Sequence, residues 1–176
     1  GILPEGNILC EGAQGFWLDM DQGNYPFVTS STTLPYAACS LGFSPKRINH
    51  IFGVAKIYDT RSGTDPLFPN SLLDDPMLSR LGILGKEIGV TTGRRRKTNW
   101  LNLTKLIEAI RISGTSHLII NKCDVIEELS RYKIIVDFQK VKFHSLNSML
   151  TFVQKKIEDE CPDIQKIKFS YSPTDI

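Results

Sequence analysis

The chain has 176 residues, 41% of them apolar and 23% charged, a balance that fits a folded domain and excludes a disordered tail. Lys and Arg total 21 against 19 acidic residues, and a net charge of +2 is too small to make nucleic acid the main partner. No stretch approaches the ~20 apolar residues of a membrane span, the N-terminus lacks the basic-then-apolar layout of a signal peptide, and neither a membrane nor a secreted role is read.

Short apolar runs alternate with amphipathic stretches along the chain, which is the pattern of an α/β fold. A buried strand is expected at residues 8–10, so the chain reads as one that begins in mid-fold. Next comes Glu11-Gly12-Ala13-Gln14-Gly15, where an amide side chain between glycines can meet a ligand at close backbone approach, both donating and accepting. Asp19 and Asp21 follow, then Tyr25-Pro26-Phe27-Val28-Thr29-Ser30-Ser31. A helix is expected over 32–41 with hydroxyl caps at its start, so that its unpaired amides could hold a phosphate near Thr29.

A strand over 51–57 leads to a segment rich in turn formers, 58–70, read as a loop near the site, and then to a helix over 72–81. The run Val90-Thr91-Thr92-Gly93-Arg94-Arg95-Arg96 places three guanidiniums beside exposed backbone amides, a combination suited to carboxylates and phosphates. Within it Arg95 and the following Lys97 are read as solvated, and Trp100 as packing under the loop.

A helix over 103–112 precedes a strand over 118–121, closed by Asn121-Lys122-Cys123-Asp124. That position is the C-terminal end of a strand, where open α/β sheets place ligands. An Asp there can accept from guanine N1 and its 2-amino group while a Lys stem packs on the ring; adenine offers the opposite polarity. A strand over 133–138 follows, then a helix over 146–160 whose apolar stripe of Leu146, Met149, Leu150, Val153 and Ile157 marks it as structural. A last strand over 167–170 runs into Ser170-Tyr171-Ser172-Pro173. Cys10, Cys39, Cys123 and Cys161 show neither metal spacing nor a compact disulfide framework, as expected of reduced thiols in the cytoplasm. His50, His117 and His144 are isolated and are assigned no chemistry.

Taken together and in this order, the Gln14 loop, the Thr29 segment, the 90–96 run and the 121–124 motif resemble the adenylosuccinate synthetase family, which joins L-aspartate to a 6-oxopurine nucleotide using GTP. The resemblance runs from about residue 7 to 124 and returns faintly at 170–172. It implies the C-terminal portion of one P-loop-NTPase-like α/β domain with a mostly parallel central sheet flanked by helices. The tail after Asp124 is short, as in compact archaeal and viral forms.

By the same resemblance Gln14 holds the purine 6-oxo group and Thr29 contacts the 5'-phosphate. Val90, Thr91, Thr92 and Gly93 bind aspartate, Arg94 faces the aspartate carboxylate and the purine nucleotide, and Arg96 the GTP phosphates. Lys122, Asp124, Ser170 and Ser172 border the guanine base, although Ser172 stands where the family has glycine. Thr32 stands where the family usually has Asn. The family's GDEGKGK loop and general-acid histidine are absent from the sequence, so the Mg2+ ligands are expected in a missing N-terminal half and the chain alone is expected to be inactive. Because the family's acid, base and metal ligands lie there, Asp19 and Asp21 are expected to order their loop. The substrates implied are L-aspartate, GTP and either IMP or, as in a viral relative, dGMP. A homodimer is implied as well. A non-catalytic nucleotide-binding module that lacks the catalytic half is the reading from a different class.

Overall fold

In the computed structural model, residues 5–90 and 93–175 are described, and they form two compact units divided between Ile51 and Phe52.

The first unit is built of turns. Three short 3-10 helices, Phe16–Leu18, Pro35–Leu41 and Pro45–Arg47, are its regular elements among the described residues. The expected strand at 8–10 does not form: Ile8 is 41% and Leu9 84% exposed, and an apolar run without a pairing partner has no ladder to join. Nor does a hydroxyl-capped helix begin at residue 32. Pro35, whose ring presets φ, opens the 3-10 helix as its first residue, and Leu34 caps it without a side-chain bond.

The second unit holds the sheets and the large core. Strand β1 (Phe52–Lys56) passes through the single buried residue Ile57 into β2 (Tyr58–Arg61). A 3-10 turn, Asn70–Leu73, precedes helix α1 (Pro76–Leu84), in which Pro76 stands at the first position and the Asp75 carboxylate caps the amides of Met77 and Leu78. That Asp-Pro pair interrupts the helix expected over 72–81. Strand β3 (Lys97–Asn102) runs directly into α2 (Leu103–Ser113), capped by Asn102 and ended by Gly114 in the left-handed region. Strand β4 (His117–Asn121), helix α3 (Cys123–Leu129), strands β5 (Lys133–Val136) and β6 (Gln139–Lys142), helix α4 (Leu146–Glu160) and strand β7 (Lys166–Phe169) complete it.

Strands β1, β4 and β7 pair in parallel in the order β1-β4-β7, and helices flank the unit, so the α/β class with a parallel sheet holds. A second sheet, β2-β3-β5-β6, is mixed: only β3 and β5 are parallel in it. The segment beginning at Tyr58 is therefore a strand at first, against the loop expected there, because Tyr58 pairs with Trp100 across β2 and β3 and both are buried. The expected strand over 133–138 stops at Val136: Asp137 and Phe138 take positive φ and turn the chain into β6. Leu78, Leu81, Trp100, Leu101, Leu103, Ile120, Ile126, Ile134, Met149 and Ile157 are fully or nearly fully buried in one cluster that welds the two sheets to the helices.

One carboxylate in this framework is set to titrate. Asp59 on β2 is raised by burial to about 6, against opposing contributions from the Asn102 amide bonded to it and from Lys105. A carboxyl raised above its unfolded value of 3.8 contributes stability that is fully present below that value and is lost as the pH rises through about 6. Asp59→Asn is accordingly expected to gain on the parent chain between pH 4 and 8 by up to about 3 kcal/mol. Denaturant unfolding of both proteins across that range checks this; parallel pH profiles would place the proton elsewhere.

Candidate active site

Lys56 and Asn121 are register partners at the C-terminal ends of β1 and β4, and Phe169 ends β7 beside them. The chain then folds over this end. The Ser170 amide donates to the Ile120 carbonyl at 2.9 Å, and its own carbonyl accepts the Cys123 amide at 3.2 Å, so the residue after β7 caps the first turn of α3. Lys122 sits in the left-handed region with φ 66° and lets α3 start immediately after β4, a helix the sequence reading did not anticipate. Thus Lys122, Asp124 and Ser170 gather at one strand end, the position where open α/β sheets place ligands. Asp124 lies exposed in the first turn of α3, where the helix dipole favours its charge. Ser170 is buried and its hydroxyl donates to the Ser172 carbonyl at 2.9 Å, while Ser172 is exposed with its hydroxyl 3.3 Å from that of Thr174. Burial pushes the Cys123 thiol up to about 12, so it is inert packing inside the motif. The Asn121 side-chain oxygen is buried and has no hydrogen-bond partner among the described residues.

The arginine run forms the far arm of a tight hairpin. Arg96 N donates to the Glu87 carbonyl at 2.9 Å, Ile88 bridges Arg95, Gly89 N donates to Arg94 O at 2.9 Å, and Gly93 N, at φ 63°, to Gly89 O at 2.8 Å. Val90, Gly93 and Arg94 are exposed at the tip; Thr91 and Thr92 lie outside the described residues. Arg95 is exposed and donates to the Ser79 hydroxyl. Lys97 is not solvated as expected: it is buried in β3, because the run turns into a strand there. Trp100 is a core residue of the same strand, with the Lys133 ammonium 5.2 Å from its ring centre.

Beneath the hairpin lies a cluster the sequence did not reveal. The buried Glu87 carboxylate accepts from Lys56 at 2.7 and 2.8 Å, from the Tyr58 hydroxyl at 2.8 Å and from Arg96 at 3.2 Å. Burial works to raise its pKa, but the Lys56 and Tyr58 hydrogen bonds and the Lys56 and Arg96 charges prevail and hold it below the usual carboxylate range. The Tyr58 phenol is pushed far up, first by burial and then by Glu87, and so acts only as a donor. Glu87 occupies a short connection with no period or spacing to mark it; its one sequence signal is an acid placed close before a basic run.

Gly85 completes the cluster. A methyl at this position would collide with the Tyr58 hydroxyl, and the Gly85 carbonyl accepts from the Lys122 ammonium at 3.2 Å. Gly85→Ala should therefore destabilise the protein by about 1–3 kcal/mol through overpacking, read as a lower urea midpoint at unchanged slope. An unchanged midpoint would mean that the tyrosine has room to move.

In the first unit, Gln14 adopts φ 61°, a left-handed conformation that costs a non-glycine residue roughly 1–2 kcal/mol. Asp19 orders its loop, in line with expectation: one carboxylate oxygen accepts from the amides of Asp21 and Gln22, and the other from Thr32 Oγ1 and Thr33 N at 3.0 and 2.6 Å. Burial raises its pKa, yet these four donors together outweigh that and hold it at about 2. The Thr32 hydroxyl and Thr33 amide are thus committed to Asp19 instead of to a helix-end phosphate. Thr29 is half-buried and its amide donates to the Leu18 carbonyl at 2.7 Å, so an anion there would meet its hydroxyl and not its amide. Among the described residues no three His, Cys, Asp or Glu side chains group as metal ligands.

The adenylosuccinate synthetase of Syntrophobacter fumaroxidans is 47% identical over 134 residues, covering 76% of this chain and 31% of that protein; that of Parabacteroides distasonis is 44% identical over 139 residues, covering 78% and 32%. The chain thus spans about a third of the length of these relatives. Among solved structures, fully ligated adenylosuccinate synthetase from Plasmodium falciparum superposes with a TM-score of 0.74 at 23% identity, covering 93% of this chain and 47% of that one. Succinoaminodeoxyadenylate synthetase of cyanophage S-2L, bound to dGMP and dATP, gives 0.56 at 19% identity, covering 93% and 44%. The two structures share the fold. The family description adenylosuccinate synthetase matches residues 2–169, nearly the whole chain, which therefore belongs to the adenylosuccinate synthetase family.

Proposed function

We propose that the chain supplies substrate- and nucleotide-binding loops to a purine-biosynthetic ligase that joins L-aspartate to IMP at the expense of GTP, giving adenylosuccinate. The observation that carries this reading is the convergence of Lys122, Asp124 and Ser170 at the ends of β4 and β7, within a chain matched almost throughout by the family. In this reading GTP phosphorylates the purine 6-oxygen, and the aspartate amine then displaces that phosphate. Gln14 holds the 6-oxo group as charge develops, and the Thr29 hydroxyl contacts the 5'-phosphate. Val90, Thr91, Thr92 and Gly93 shape the turn that receives aspartate, and Arg94 pairs with its carboxylate. Arg96 faces the triphosphate, while Lys122, Asp124, Ser170 and Ser172 border the guanine. Their contribution is positioning and charge stabilisation, the main help a protein gives to phosphoryl transfer.

Mg2+ and the proton-transfer groups would be supplied by the remainder of the enzyme, so the chain alone would not turn over, and assembly as a homodimer follows the family pattern. A second reading rests on the dGMP-bound phage relative: a synthetase acting on dGMP. Steady-state assay of the complete enzyme with IMP and with dGMP, each with GTP and aspartate, separates the two. Preference for IMP is expected; preference for dGMP would replace the first reading by the second, and turnover of neither would leave a nucleotide-binding module.

A further inference from the structure

Arg96 is fastened twice to a single residue. Its amide donates to the Glu87 carbonyl at 2.9 Å and its guanidinium Nη1 to the Glu87 carboxylate at 3.2 Å. Glu87 is itself immobilised from three sides. Its amide donates to the Gly82 carbonyl at 2.8 Å, Lys56 Nζ grips both carboxylate oxygens, and Tyr58 holds one of them. Lys56 is fixed in turn by the Thr60 hydroxyl at 3.0 Å, and Tyr58 lies fully buried in the core.

A rigid chain of contacts therefore runs from the ends of β1 and β2 to one guanidinium nitrogen, while the Arg96 side chain stays about one-third exposed. Lys56 and Arg96 would repel each other were the carboxylate not between them. A solvated arginine has many rotamers to lose when it binds an anion; one already tied down loses fewer.

Resting on the reading of Arg96 as a triphosphate ligand, we infer that Glu87 is the positioning residue that presents the Arg96 guanidinium to the nucleoside triphosphate, with Lys56 and Tyr58 as its fixed supports. Glu87 touches no substrate in this scheme. Its effect passes entirely through Arg96.

The test is a double-mutant cycle in the complete enzyme, reading kcat and the KM for GTP, with thermal melts of every variant. Arg96→Leu is expected to raise the GTP KM by roughly a hundredfold, and Glu87→Gln by about tenfold with kcat within about twofold of the parent. In the double variant the GTP KM should match that of Arg96→Leu alone, since Glu87 then has nothing to aim. A purely structural glutamate would lower the melting temperature without this split and would add its effect independently. If Arg96→Leu raises the KM but Glu87→Gln leaves it unchanged, or the two effects multiply, the positioning role falls and the site reading stands. If Arg96→Leu changes nothing, the nucleotide reading of Arg96 falls and the inference with it. Should Glu87→Gln fail to fold, Tyr58→Phe removes one support and keeps the ring packing; a GTP KM raised about threefold sustains the inference and an unchanged KM overturns it.

Discussion

In the complete enzyme, Arg94→Leu is expected to raise the L-aspartate concentration needed for half-maximal rate about a hundredfold or more, with the melting temperature unchanged. The side chain is exposed at a hairpin tip whose shape is fixed by main-chain bonds from Gly89 to Arg94 and from Gly93 to Gly89, so the fold does not depend on it. A bidentate guanidinium–carboxylate pair enclosed in a substrate-filled site is worth about 3 kcal/mol, and that loss converts to the stated factor. Initial-rate kinetics across aspartate concentration measure it directly. An unchanged aspartate dependence would remove Arg94 from the site.

Asp124→Asn should weaken the preference for the guanine nucleotide. A carboxylate accepts from both guanine N1–H and the 2-amino group; an asparagine presents a donor where one of those acceptors stood. The loss of a charge-assisted pair costs about 2–3 kcal/mol, so the ratio of kcat/KM for GTP over ATP should fall roughly thirtyfold or more. The helix that carries Asp124 is anchored by the Ser170 carbonyl and by the buried Cys123, Val125 and Ile126, and the exchange should leave it in place. If the parent enzyme already uses ATP and GTP equally, the guanine assignment of this residue fails.

Where the chain's own local signals were strong, the structure follows them closely. Helix α4 begins and ends at the residues expected, because Ser145 caps it in a reciprocal box with Ser148 and its apolar stripe has the helical period. Strands β1, β4 and β7 fall within a residue or so of their expected bounds. What stayed hidden had local signals that pointed elsewhere. The turn between β5 and β6 lacks the glycine that usually betrays such a reversal, since Asp137 and Phe138 take the strained conformation themselves. Lys97 and Thr98 look like surface residues and are buried, because β3 lies between two partners in its sheet. Lys122, Asp124 and Ser170, all named from the sequence, lie together at the ends of β4 and β7 because β7 returns beside β4. Glu87 required the fold itself, since its partners come from two distant stretches of chain, Lys56 and Tyr58 from one and Arg96 from the other.

The passage from β1 to β2 consists of Ile57 alone, with its amide donating to the Asn121 carbonyl. Strand side chains alternate in direction, so one residue inserted or deleted at this joint would reverse the facing of everything that follows until the next turn. Tyr58 would swing outward, and the acid beneath the arginine hairpin would lose one of its side-chain donors. Length variation among relatives should therefore be tolerated in the turn-rich stretch after Arg61 and forbidden at position 57, which gives protein engineers a place to graft and a place to leave alone.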